Sequence, residues 1–115
     1  MKKLIAVTLT LLSLTALAAD ERCSPYVTET TSIIQQLRSC RAAISLARVC
    51  TTGSRRDVEL AYQAVNTCRD LIGGEENLAA APKRKMRAGY KRCSQAFPND
   101  HVEAMFCMAE VLRTL

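Results

Sequence analysis

Beyond the first two dozen residues, apolar side chains recur three and four positions apart, the spacing that lines one face of a helix. Ser24-Pro25 reads as a cap followed by a proline in the first turn. Ile33, Leu37, Cys40, Ile44 and Ala47 then fall at successive helical steps, so the pattern predicts one long first helix that Gly53 of "CTTGS" ends. Ser54 with Asp57 three residues on has capping-box spacing and opens a second stripe: Val58, Ala61, Tyr62, Val65, Cys68 and Ile72. Gly73-Gly74 terminates it. "EENLAAA" is either a helical turn or a loose connector. Pro82 opens a third helix carrying Met86, Tyr90, Cys93 and Phe97, and Pro98 ends it. Asp100 and Glu103 repeat the capping spacing at the start of a fourth. That helix is apolar on two sides, with Val102, Met105, Phe106, Ala109 and Leu112 on one and Ala104, Cys107, Val111 and Leu115 on another. A helix apolar on two sides is packed between neighbours. The expectation is an all-α, small four-helix up-down bundle-like domain with short connections.

The N-terminal segment has a different pattern. Lys2 and Lys3 precede an uncharged apolar run, Leu4 to Leu17, and "ALA" (Ala16 to Ala18) follows. This order predicts a secretory signal peptide over residues 1–18, cleaved after Ala18 or Ala19, and a single domain over 19–115. The run is shorter than the roughly 20 residues of a membrane span. No second such run exists, so no transmembrane segment is expected in the mature chain. The short, Lys-led signal suggests a periplasmic or secreted protein. Cleavage removes two of the 16 basic residues against 11 acidic ones, taking the formal charge from +5 to +3. That is too mild for a polyanion-binding protein, and no nucleic-acid partner is expected.

Six cysteines remain: Cys23, Cys40, Cys50, Cys68, Cys93 and Cys107. An even count in a small exported chain reads as three disulfides. Metal sites want closely spaced Cys pairs or Cys/His clusters, and the only histidine is His101. Six cysteines allow about 15 pairings. With a rise of about 1.5 Å per residue, heights below the first interhelical turn are roughly 0 Å for Cys50, 6 for Cys93, 12 for Cys107, 15 for Cys40 and 22 for Cys68. Cys23, ahead of one long helix, belongs at the far end. Matching levels predicts Cys50–Cys93, Cys40–Cys107 and Cys23–Cys68. The rival set, Cys40–Cys68, Cys93–Cys107 and Cys23–Cys50, requires the first helix to be broken.

"PKRKMRAGYKRC" packs six Lys and Arg between Lys83 and Arg92. On a wheel, Met86, Tyr90, Cys93 and Phe97 cluster toward the core and the cations fan over the opposite side. The run's one aromatic therefore faces inward, whereas a single-strand binding surface exposes aromatics among its cations. The run reads as a solvated face, or as an electrostatic docking face for an acidic partner. On the second reading Lys83, Arg84, Arg87 and Lys91 form the partner-binding patch, and Lys85 and Arg92 lie further round.

Other candidates read as structural. His101 is an exposed helix-start residue, without the partners of a base or ligand. Met86, Met105 and Met108 fit a core better than an adaptable groove. Tyr26, Tyr62 and Tyr90 are expected half-buried, hydroxyls reaching water. Glu75 and Glu76 are expected in a solvated connector. No G-x-S-x-G, H-E-x-x-H, phosphate loop or free Cys is present, so no catalytic residue, metal or cofactor is assigned and no enzyme is expected. The expected function is an exported, non-enzymatic protein-binding module, such as an immunity or inhibitor protein or an accessory of a secretion or conjugation system. Its partner is expected to be a protein with an acidic surface. The alternatives are a small-molecule or lipid carrier with a pocket lined by Phe97, Met105, Phe106 and Met108, and a membrane-active toxin acting through the third helix.

Overall fold

The computed structural model describes residues 22–115, and the expected signal peptide and both cleavage positions lie outside the described residues. The described chain is all-helical and held by three disulfides. Its helices are α1 (Val27–Gln36), α2 (Cys40–Val49), α3 (Arg56–Leu71), α4 (Ala80–Ala96) and α5 (His101–Arg113), with a 3-10 turn over Glu75–Asn77 between α3 and α4.

The first expected helix is thus two. Leu37 leaves the helical region at φ −69°, ψ 142°, and Ser39, also extended, accepts a hydrogen bond on its side chain from the Ala42 N–H at 3.2 Å. Ser39 is an N-cap, which satisfies a donor that an uninterrupted helix would not leave free. No glycine or proline marks the break. Its consequence for the core is a change of phase: Ile34 and Thr30 are fully buried in α1, while Ile33 points outward. Similarly α3 buries Leu60, Ala64 and Thr67 alongside Ala61, Val65 and Cys68, and leaves Val58 and Tyr62 exposed.

Successive helices alternate in direction. Arg56 at the start of α3 donates to the carbonyls of Ser24 and Pro25 at 2.8 and 3.1 Å, and further along Thr67 donates to the Ile34 carbonyl at 3.2 Å. α1 and α3 therefore run parallel and pack directly together, and α2 returns antiparallel to both. α3 ends in a Schellman arrangement: the Gly73 N–H donates to Asp70 O at 3.0 Å and the Gly74 N–H to Arg69 O at 3.1 Å. Gly73 sits at φ 83°, where an L side chain is strained. At α5 the expected cap is present, since Asp100 accepts from the Glu103 N–H at 3.0 Å.

Side chains of α1, α2, α3 and α5 meet in one core containing Ile34, Leu46, Leu60, Phe106 and Leu112. Burying each such side chain contributes about 1.5–3 kcal/mol. α4 lies at the edge and packs against α5. The two approach closely at Gly89, where a Cβ would fall 2.6 Å from Val111 Cγ1.

The disulfides are Cys23–Cys50, Cys40–Cys68 and Cys93–Cys107, with Cα separations of 5.2, 4.7 and 5.6 Å. The expected pairs Cys50–Cys93, Cys40–Cys107 and Cys23–Cys68 are not formed. The error lies in the height given to Cys23. The break at residues 37–39 folds the chain back, which brings Cys23 to the level of Cys50. The other four pair between helices consecutive in the chain, Cys40 of α2 with Cys68 of α3 and Cys93 of α4 with Cys107 of α5. Disulfides of this density belong to an oxidising compartment. Among the described residues no helix is long and apolar enough to cross a membrane.

Candidate partner-binding face

α4 begins after Ala79 and holds Pro82 within its first turn, where the missing N–H costs nothing. Its inward side is set by Met86, Gly89 and Cys93, all buried, with Tyr90 half-buried beside them. The cations are distributed by that choice. Arg84, Lys85, Arg87, Lys91 and Arg92 are exposed, while Lys83 is half-buried in a shallow groove of about 280 Å³ with Glu75, Glu76, Met86 and Arg87. Lys85 donates to the Thr114 carbonyl at 3.3 Å, at the C-terminal end of α5 where a cation is favoured.

The face is unusual in its charge balance. α4 carries six cations and no acid; from residue 19 on, the rest of the chain carries eight basic and eleven acidic residues. All of the net positive charge of that region resides on one edge helix. Among the described residues, the ion pairs are Arg48–Glu103, Arg69–Glu75 and Arg113–Glu110. None involves an α4 cation. The structure therefore brings Arg84, Arg87 and Lys91 together as the sequence suggested, moves Lys83 to the flank of the patch, and leaves Arg92 beside it on the exposed side.

A polar latch that the sequence did not reveal fixes this helix. Glu75 is not a free connector acid: its Oε1 lies 3.0 Å from Arg69 Nε and accepts from the Tyr90 hydroxyl at 3.3 Å. Burial pushes the Tyr90 phenol above its ordinary range; Glu75 adds to this and Arg69 opposes it. For Arg69, burial works downward but is outweighed by Tyr90 and Glu75, so the guanidinium is held more firmly charged. Tyr90 thus bonds to protein, whereas Tyr26 and Tyr62, expected half-buried, are 67% and 54% exposed.

Elsewhere, Arg48 stacks over the Phe106 ring at 4.4 Å and grips Glu103 with two hydrogen bonds of 3.1 and 3.3 Å. Asp57, buried, receives the N–H groups of Thr52 and Gly53 at 2.9 and 2.7 Å and so holds the α2–α3 loop, in place of the expected reciprocal box with Ser54. Of the four residues named for a carrier pocket, Phe97 and Met108 flank an open groove of about 330 Å³ together with the exposed His101. Met105 and Phe106 are packed in the core. Among the described residues no three Asp, Glu, His or Cys side chains converge as a metal ion would require.

Compared with known proteins, the chain matches no family model, no curated protein and no solved structure.

Proposed function

We propose that this chain is an exported, non-enzymatic protein-binding module, an immunity or inhibitor protein or an accessory of a secretion or transfer system, whose partner presents an acidic surface. One observation carries the reading: α4 holds six cations, no acid and no ion pair among the described residues, on the outer edge of a disulfide-locked bundle. Unpaired like charges repel one another and slightly destabilise the helix that bears them. A face of this kind is favoured by what it attracts. Three disulfides support export to an oxidising compartment, and the N-terminal Lys-led apolar run supports a signal peptide.

The test is kinetic. The partner is first recovered by cross-linking in the exported fraction of the native host. Association of the purified pair is then compared with that of a variant carrying Arg84→Glu, Arg87→Glu and Lys91→Glu. Reversal slows association at least tenfold and removes its dependence on salt, while the melting temperature stays nearly unchanged. An unaltered association rate refutes the reading.

A further inference from the structure

We infer that α4 acts as a convex prong, docking into an acidic cleft of its protein partner instead of lying on a flat anionic surface. The inference rests on the reading of α4 as the docking face and specifies what that face fits.

The geometry is that of an edge helix. α4 packs against α5, and its outer side is free. At 100° per residue, Arg87, Lys91, Arg84 and Arg92 fan over about 140° of that side. Ala88 lies within the fan: Arg84 and Arg92 are one turn before and after it, Arg87 precedes it, and Lys91 follows three positions on. All four cations and Ala88 are exposed, and none of the four has a carboxylate within salt-bridge distance among the described residues.

Charges spread round a cylinder are matched by carboxylates arriving from several sides. A plane tangent to the cylinder meets those at the crest and leaves those on the flanks in water. The fan also lacks the large apolar side chains that an interfacial helix sinks into a bilayer; its small residue, Ala88, permits close approach instead. Unpaired positive charge over a convex ridge is complementary to negative charge in a concavity, and low-dielectric cleft walls focus that attraction.

The purified, oxidised protein tests this with two probes: poly-L-glutamate, a flexible polyanion that wraps a ridge, and vesicles of equal parts phosphatidylethanolamine and phosphatidylglycerol, which present a plane. Backbone amide signals report where each binds. Although the net charge of the whole chain is mild, the local charge of α4 suffices at low salt: poly-L-glutamate shifts the signals of residues 84–92, and Arg84→Gln, Arg87→Gln, Lys91→Gln and Arg92→Gln each weaken its binding by about two- to fivefold. Ala88→Trp keeps the charge and raises the crest, so it weakens poly-L-glutamate binding as well; Ala88→Leu, a good helix former, repeats the test should Trp unsettle the helix. Vesicles do not retain the native protein.

Vesicle binding that Ala88→Trp strengthens overturns the inference in favour of a membrane surface. Poly-L-glutamate binding on α4 that ignores both Arg92→Gln and the Ala88 variants overturns the cleft and leaves the docking face standing. Shifts centred instead on Arg38, Arg41 or Arg55 overturn both.

Discussion

A single carboxylate decides the conformation of the α2–α3 loop. Asp57 is 6% exposed and its two oxygens each accept one backbone N–H, from Thr52 and Gly53. Asp57→Ala removes two hydrogen bonds to a charged acceptor, a cost of about 1–3 kcal/mol, and chemical denaturation should show a lower midpoint at unchanged slope. Tyr90 gives a pH signature. Its folded value lies above the ordinary phenol value of about 10, so the neutral form is favoured in the native state. The associated stability is fully present below about pH 10 and is lost as pH rises through the raised value. Melting temperatures of the native protein should therefore fall more steeply above pH 10 than those of Tyr90→Phe, in which this component is absent. Equal slopes would show that the latch carries no linkage. Neither role was legible beforehand, because each depends on a partner brought in by folding. The spacing of Asp57 to Ser54 suggests a cap, and nothing in the chain marks Arg69 as the neighbour of Glu75.

At the level of elements, the wheels for α4 and α5 were readable because each has strong punctuation: Pro82 within its first turn, Pro98 after its last, and Asp100 three residues before Glu103. The break between α1 and α2 is hidden for the opposite reason. The apolar residues keep helical spacing straight through Leu37, and a lone serine is a weak stop signal. Ser39→Ala removes the cap of α2 and should cost about 0.5–2 kcal/mol, measurable as a drop in thermal stability. The α4–α5 contact sets a second limit. Gly89→Leu forces a side chain against Val111, and overpacking of this kind costs about 1–3 kcal/mol. If the helices simply part, the Cys93–Cys107 bond still keeps them together, and circular dichroism should show helix content retained while the melting point falls.

For the whole molecule, the class of fold was legible from periodicity and cysteine count, whereas the pairing was not. Levels along helices discriminate between disulfides only when every helix boundary is known, and one missed break reassigned all three bonds. The bonds Cys23–Cys50 and Cys40–Cys68 close loops of 27 and 28 residues, each worth about 3–4 kcal/mol in the chain-entropy model. A domain of this size is stable by about 5–15 kcal/mol in total. Full reduction should unfold it or leave it marginal, and a melt unchanged by reductant would show that the bonds are not structural.

The interlacing of those two bonds bears on how the chain matures. Cys23 pairs past Cys40, and Cys40 pairs past Cys50, whereas Cys93 and Cys107 are consecutive. On the proposed export route the chain is threaded outward from its N-terminus and presents cysteines to an oxidant in sequence order, so the first bond available is Cys23–Cys40. That bond must be exchanged before α1 and α2 can fold back on each other. Maturation of the α1–α3 half should consequently depend on a disulfide isomerase, while the α4–α5 hairpin closes without one. Acid trapping during synthesis in an isomerase-deficient host should accumulate the Cys23–Cys40 species with Cys93–Cys107 already formed.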